Sequence, residues 1–101
     1  MTFNEYYKKY LTLHQNKWNR RLHVLGQFST IIYTIWIISL SFYSFWYLLL
    51  LTLAPFVVYI FAWSGHIYFE KNVPAAWSNP WLAKLSDWKM LWQIITGRIP
   101  F

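Results

Sequence analysis

The chain has 101 residues, of which 57% are hydrophobic and 24% aromatic, whereas only 12% are charged. Soluble domains carry roughly a quarter of their residues as charged side chains, so the composition excludes an ordinary soluble domain and indicates a membrane protein. The net charge of +6 is interpreted as a topology signal and as attraction to anionic lipid, with no nucleic acid as partner. Cysteine is absent, which excludes disulfides and cysteine-bound metals.

Residues 1–18 predict an amphipathic helix that lies at the membrane interface. Thr2 and Glu5 have the spacing of a capping box, in which each side chain binds a backbone N–H of the other residue. Behind them, apolar side chains recur at helical spacing, at Phe3, Tyr7, Tyr10 and Leu11. This one-sided pattern favours a helix that lies flat against the bilayer.

A long uncharged interval follows the N-terminal segment. No residue between Arg21 and Glu70 carries a formal charge, and as helix this interval can cross a bilayer core of about 30 Å twice. Polar and aromatic residues near its middle predict a turn around residues 41–46. We therefore predict a hairpin of two membrane-spanning helices, over residues 20–40 and 46–70.

Pro55 lies inside the second predicted span. Proline lacks a backbone N–H, and its ring clashes with the preceding helical turn. We expect it to free the carbonyl of Leu51 and to bend the helix, which a bilayer tolerates when a neighbouring group binds that carbonyl.

The basic residues define the expected orientation. All nine lie outside the uncharged interval, either before it or after it: Lys8, Lys9, Lys17, Arg20 and Arg21, then Lys71, Lys84, Lys89 and Arg98. Positively charged flanks remain in the cytoplasm. We therefore expect an integral membrane protein with both termini cytoplasmic, in a bacterial inner membrane.

The C-terminal segment predicts a second interfacial helix, over residues 80–96. Asn79 is a favourable N-cap, and Pro80 suits the first helical position. Lys84 and Asp87 lie off a single apolar stripe formed by Trp81, Leu85, Trp88, Trp92 and Ile95. The predicted fold is thus an all-α membrane domain, namely a two-span transmembrane helical hairpin with amphipathic interfacial helices at both ends.

Three histidines are the candidate functional residues. His23 begins the first span and His66 lies near the end of the second, so a hairpin brings them to one bilayer face. Glu70 lies one helical turn beyond His66, close enough to converge with it on one ion. His14 precedes His23 by nine residues, which places the two on opposite sides of an unbroken helix.

His14 therefore joins the cluster only if the chain bends before the first span. Short amide side chains favour such a bend, at Gln15, Asn16 and Asn19. We expect Asn19 to be the N-cap of a span that begins near Arg20.

Imidazoles with one carboxylate and an open coordination position suit mononuclear non-haem Fe(II), and zinc accepts the same ligand atoms. A haem with His23 and His66 as axial ligands is an alternative, as is a non-catalytic membrane scaffold or lipid-binding protein. Each histidine, taken singly, is also explained as a half-buried interfacial residue. Together with a carboxylate at one membrane face, they favour a functional site.

Two motifs carry a family resemblance. The stretch HQNKWNRRLHVLG, residues 14–26, has the pattern H-x4-N-x2-L-H-x2-G, and WSGHIYFEKNVPA, residues 63–75, contains G-H-x2-F-E-K-N-x-P-A. Together they resemble the small membrane family that includes the fungal 2-hydroxy fatty acid dioxygenase, which is named for metabolism of phytosphingosine to odd-numbered fatty acids. The resemblance covers nearly the whole chain.

The resemblance implies an Fe(II)-dependent enzyme that uses O2 to shorten a 2-hydroxy fatty acid by one carbon, with iron bound by His14, His23 and His66. Glu70 is expected to complete or orient the iron site, and Asn19 or Asn72 to orient the ligands by hydrogen bonds. Candidates to receive the substrate carboxylate are Lys71, or Arg20 with Arg21. Membrane lipid is an expected partner, and a two-span chain suggests a homodimer that closes the site.

Overall fold

The computed structural model of the chain describes residues 2–101, and its regular elements are all helical. Helix α2 spans Lys17–Ser41, and after a short turn a second helical segment spans Phe45–Glu70. Both are long and apolar enough to cross a membrane. They pack against each other as a hairpin, which confirms the all-helical architecture predicted from the sequence.

The outer surface of this hairpin is apolar and uncovered. Only 28% of the most apolar stretch of α2, and 11% of that in the second segment, is buried within the protein. Large side chains of α2 such as Ile32, Ile35 and Trp36 are more than half exposed. A core helix of a soluble protein would bury such side chains, whereas lipid solvates them without cost.

The second helical segment changes its winding at Pro55. Phe45–Leu53 is a 3-10 helix, and α3 follows over Ala54–Gly65 with Pro55 in its first turn. Proline is tolerated there because that N–H has no helical partner. The carbonyl of Leu51 accepts a hydrogen bond from the backbone N–H of Ala54. Pro55 therefore marks a boundary between two windings, and the carbonyl that we expected to be free is bonded.

Two glycines allow α2 and α3 to approach closely near the histidines. A Cβ atom on Gly26 would lie 3.0 Å from Cγ2 and 3.2 Å from the carbonyl oxygen of Val58. A Cβ on Gly65 would lie 2.0 Å from Oδ1 of Asn19. Small residues at such contacts are what membrane helix pairs use to bring backbones together.

Helix α1 spans Phe3–Thr12 and is shorter than the predicted segment of residues 1–18. The predicted capping box between Thr2 and Glu5 is present. The tyrosine face of α1 packs inside the protein, in a cluster made by Tyr6, Tyr7, Tyr10, Ala75, Ala83 and Met90. Helix α1 therefore packs against the rest of the protein through Tyr7 and Tyr10, which we had expected to face the membrane interface.

That surface is helix α4, which spans Pro80–Ile95. As predicted, the side chain of Asn79 caps it, accepting a hydrogen bond of 3.1 Å from the N–H of Leu82. The predicted tryptophan stripe is the outer face, with Trp81 and Trp92 both more than half exposed. The buried face consists of Ala83, Ser86, Asp87, Met90 and Leu91.

Candidate metal centre

The bend predicted between His14 and His23 is present between α1 and α2. The residue that caps α2 is Asn16, whose side-chain oxygen accepts a hydrogen bond of 2.8 Å from the N–H of Trp18. Asn19 is fully buried inside the helix, so its expected role as N-cap is wrong. Either asparagine is chemically suited to cap a helix. Asn19 instead packs closely against Gly65 of α3, and Asn16 is the N-cap.

Arg20 holds this bend in place. Its guanidinium donates hydrogen bonds to the carbonyls of His14 (3.1 Å), Gln15 (2.6 Å) and Pro100 (3.1 Å). The neighbouring Arg21 donates to the carbonyl of Phe101 at 3.3 Å. The two arginines thus bind the backbone near both ends of the chain, instead of offering a free pair to a substrate.

Three imidazole rings meet at one buried point. They belong to His14 in the bend, His23 in α2 and His66 at the end of α3. Nε2 of His14 lies 3.1 Å from Nε2 of His23 and 3.0 Å from Nε2 of His66. Each side chain is no more than 3% exposed. One nitrogen from each ring lies within 4.8 Å of the other two, a spacing able to hold a metal ion.

Backbone carbonyls fix the tautomers of two rings. Nδ1 of His14 lies 2.7 Å from the carbonyl oxygen of Tyr10, and Nδ1 of His23 lies 2.9 Å from that of Asn19. A carbonyl only accepts hydrogen bonds, so the hydrogen-bond network assigns the proton of each ring to Nδ1. The lone pair of each Nε2 therefore faces the centre of the cluster.

Asn72 fixes the third ring. Nδ1 of His66 lies 2.6 Å from Oδ1 of Asn72, and Nδ2 of Asn72 donates to the carbonyl of Leu13 at 3.2 Å. The second bond orients the amide so that its oxygen faces the imidazole, which then donates from Nδ1. Asn72 thus orients the His66 ring by a hydrogen bond, and its role toward a metal ion stays a prediction.

These donors fit a metal ion. Nitrogens bound about 2.0–2.1 Å from one ion at right angles are separated by roughly 3 Å, which matches the distances from Nε2 of His14 to Nε2 of His23 and of His66. Burial, followed by the nearby His23, holds the pKa of His14 well below its usual range. The ring is therefore neutral, as a metal ligand must be. Three buried lone pairs that face one another are unfavourable without a cation between them.

Glu70 does not converge with His66 on this point. The stretch His66–Glu70 is a π-helical turn, so the α-helical spacing that we assumed does not apply. Oε1 of Glu70 instead accepts hydrogen bonds from the backbone N–H of Asn16 at 2.5 Å and from Nδ2 of Asn19 at 3.4 Å. The carboxylate binds the N-terminus of α2, where free N–H groups and the helix dipole favour an anion.

Lys71 ends the π-helical turn in the left-handed region, with φ of 57°. Its side chain is exposed, and Lys71 is not among the residues that line the cavity beside the histidines. The structure thus places Lys71 beyond the cavity, on the outer side of the turn.

Two residues that the sequence did not single out complete the surroundings of His14. The Tyr10 ring stacks on the His14 imidazole, with centroids 3.9 Å apart and planes 19° apart. The Tyr10 hydroxyl donates a hydrogen bond to the carboxylate of Asp87. Burial raises the pKa of Asp87 to about 6. The sequence held one sign of Asp87, because it is the single acidic residue in α4, whose other charged residues are Lys84 and Lys89.

A cavity adjoins the three histidines. Tyr59, Ala62 and Trp63 of α3 form one wall, and Ala83 and Asp87 of α4 are on its lining as well. The rings of Tyr59 and Trp63 are stacked, with centroids 5.3 Å apart. The lining is thus apolar and aromatic apart from the histidines, Tyr10 and Asp87, and the volume of about 10 Å³ has room for roughly one water-sized molecule.

The haem alternative has no support from this arrangement. Nε2 of His14 contacts Nε2 of both His23 and His66. A macrocycle between His23 and His66 would have to occupy the same space as the His14 ring.

Fold and site together define a helical-hairpin protein with a buried three-histidine centre, the ligand chemistry of a non-haem metal site. The sequence model of the 2-hydroxy-palmitic acid dioxygenase Mpo1-like family matches residues 1–99, and the chain belongs to this family. The family resemblance found in the two motifs is therefore confirmed. Comparison with curated proteins gives no match, and neither does comparison with solved structures.

Proposed function

We propose that this protein is an Fe(II)-dependent dioxygenase that shortens 2-hydroxy fatty acids by one carbon. The observation that carries the proposal is the meeting of three unprotonated Nε2 atoms, from His14, His23 and His66, beside a small, largely apolar cavity. The name of the family, a 2-hydroxy-palmitic acid dioxygenase family, supports the substrate class.

The three histidines hold the iron through Nε2. Three protein ligands leave coordination positions open, and bound Fe(II) supplies a centre at which O2 and an organic substrate react. Zinc has no redox chemistry, so an oxidation by O2 favours iron. The remaining residues keep the ligands rigid: the carbonyls of Tyr10 and Asn19, and the amide of Asn72, each fix one imidazole.

Glu70 acts on this centre through Asn19. Its carboxylate binds the Asn19 amide and the first turn of α2, and the Asn19 carbonyl accepts the proton of His23. Glu70 is therefore a positioning residue in this proposal. Loss of a group that orients a metal ligand typically lowers metal affinity or activity about 10- to 100-fold.

A bilayer setting supports the substrate assignment. The hairpin exposes apolar side chains on its outer faces, and a fatty acid partitions into the same lipid. The histidines lie at the end of the hairpin from which α1 and α4 extend. We place this end at the cytoplasmic face of a bacterial inner membrane, because all nine basic residues lie outside the uncharged interval between Arg21 and Glu70. We also propose a homodimer, in which a second copy of the chain packs against the open side of the site.

Anaerobic purification followed by metal analysis and a turnover assay tests the proposal. Wild-type protein should contain iron without haem absorption, and with Fe(II) and O2 it should convert 2-hydroxypalmitate to the acid one carbon shorter. Chelation should abolish conversion. His66→Ala should lose iron and turnover, whereas Trp92→Ala, on the exposed face of α4, should keep both.

Two results would contradict separate parts of the proposal. A full iron site that leaves a range of 2-hydroxy acids unconverted would refute the substrate. Full iron content in His66→Ala would refute the metal centre.

A further inference from the structure

One cation of the protein is buried without a partner. Nζ of Lys84 is inaccessible to solvent and has no hydrogen-bond partner among residues 2–101. An ammonium carries three donors, and leaving them unbonded away from water is costly. The ring of Trp88, with its centroid 5.8 Å from Nζ, gives only partial compensation. Such a group indicates an anionic ligand that binds there.

Lys84 is a neighbour of residues that line the cavity beside the histidines, although it is not itself part of the lining. It follows Ala83 in α4 and precedes Asp87 by three residues, and both of these line the cavity. Residues three apart in a helix lie on the same side. The charge of Asp87 also helps to keep the ammonium protonated, although burial lowers the pKa of Lys84.

The other cations near the site are differently placed. Arg20 and Arg21 donate to backbone carbonyls. Lys71 is exposed at the end of the π-helical turn. Lys89 lies over the rings of Phe3 and Tyr7, with Nζ 4.4 Å from the Tyr7 centroid. Lys84 is the lysine whose Nζ is both buried and without a hydrogen bond in the described part of the chain.

We infer that Lys84 binds the carboxylate of the substrate, an inference that rests on the proposed function. The ammonium donates charge-assisted hydrogen bonds to the carboxylate at the cavity edge. The hydroxylated carbon, bonded to that carboxylate, then lies toward the three histidines. The tail extends past Tyr59 and Trp63 to the lipid-facing side of the hairpin.

Binding measurements on Lys84→Gln test the inference apart from turnover. The full chain in lipid nanodiscs is kept anaerobic, with and without Fe(II), and is titrated with 2-hydroxypalmitate and with uncharged 1,2-hexadecanediol. Lys84→Gln should weaken binding of the acid about 10- to 100-fold, because a hydrogen bond to a charged group is lost, and should leave the diol unaffected. Lys84→Arg should recover most of the affinity. Lys89→Gln, on the same helix, is the matched control and should bind both ligands as wild type does.

Three outcomes would overturn the inference. Equal weakening of acid and diol would show that Lys84 only packs against the tail. Loss of acid binding in Lys71→Gln, with Lys84→Gln unaffected, would assign the carboxylate to Lys71. An unchanged KM for 2-hydroxypalmitate in Lys84→Gln would refute the carboxylate site while the proposed function stands. In contrast, Lys84-dependent binding of the acid without turnover in iron-loaded wild type would refute the proposed function and leave the carboxylate site intact.

Discussion

The hydroxyl of Tyr10 donates a hydrogen bond to the buried carboxylate of Asp87 and so connects α1 to α4 beside the three histidines. The same tyrosine holds His14 twice, because its ring stacks on the imidazole and its carbonyl accepts the Nδ1 proton. Helix α4 supplies none of the three histidines. Through Asp87 it nevertheless determines where one of them lies.

Replacing Tyr10 by Phe should destabilise the protein by about 1–3 kcal/mol, because the ring remains while the buried Asp87 carboxylate loses its donor. Asp87→Asn should cost less, since an amide oxygen still accepts from the hydroxyl. Denaturant unfolding in detergent measures both variants. Tyr7→Phe is the matched control: it removes a bond to the Gln93 side chain between the same two helices, and should cost only about 0.5–1.5 kcal/mol.

A double-mutant cycle with Tyr10→Phe and Asp87→Leu, which removes the acceptor altogether, decides whether the pair is coupled. Groups in direct contact show interaction free energies of about 0.5–3 kcal/mol. Strict additivity of the two single changes would refute the proposed link between α1 and α4.

Several features followed from the sequence because each had a local cause. The hairpin follows from an interval without charge, since charged side chains are costly in a lipid-spanning helix. The start of α4 follows from Asn79 and Pro80, whose chemistry suits a helix N-terminus. The meeting of His14 with the other histidines required a bend, which short amide side chains indicated.

Other features depended on tertiary contacts. The sequence placed Glu70 by α-helical spacing, but the π-helical turn moved it to the N-terminus of α2. The burial of Asp87 was harder to predict, because an apolar helix face can pack either against lipid or against the protein core. The tryptophan stripe of α4 therefore did not reveal which face packs inside. The sequence could not decide whether Asn16 or Asn19 caps α2, because both side chains suit that position. The difference between them is the tertiary contact of Asn19 with Gly65.

Gly65→Ala should disrupt the metal centre from outside it. The new methyl group would lie 2.0 Å from Oδ1 of Asn19, so α2 and α3 must separate or the Asn19 side chain must move. Separation of the helices displaces His23 or His66, and movement of the Asn19 side chain breaks its hydrogen bond to Glu70. We expect overpacking to destabilise the protein by about 1–3 kcal/mol and metal affinity to fall about 10- to 100-fold, as measured by competition with a chelating dye.

A second change separates steric conflict from other effects of Gly65→Ala. Asn19→Ala removes the atom at 2.0 Å and leaves the Asn19 Cα at 3.2 Å, so the double variant should recover part of the lost metal affinity. Ser64→Ala, the matched control, adds no atoms and should keep wild-type affinity. If Gly65→Ala binds metal as wild type does, the close approach of the two helices is not required.

Both chain ends should lie on the same side of the membrane. Arg20 at the start of α2 binds the carbonyl of Pro100, so the C-terminal residues lie at the N-terminal end of the hairpin. In this chain without cysteine, single cysteines replacing Thr2, Ser44 and Ile99 are treated on intact cells with an impermeant thiol reagent. Only the Ser44 position should be labelled before lysis. Labelling at Thr2 or Ile99 from outside would contradict the cytoplasmic orientation.

Removing the metal should destabilise the folded protein as well as stop turnover. The lone pairs of His14, His23 and His66 face one another at 3.0 and 3.1 Å, and a bound cation removes this repulsion. An ion at a hundred times its dissociation constant stabilises the folded state by about 2.7 kcal/mol, so chelation should lower the melting temperature measured by tryptophan fluorescence. Zn(II) should restore the melting temperature without restoring turnover, because it fills the same ligands but has no redox chemistry. His66→Ala should melt at one temperature with or without metal, whereas Ser64→Ala should keep the full difference. A wild-type melting temperature unchanged by chelation and by both metals would refute the three-histidine centre.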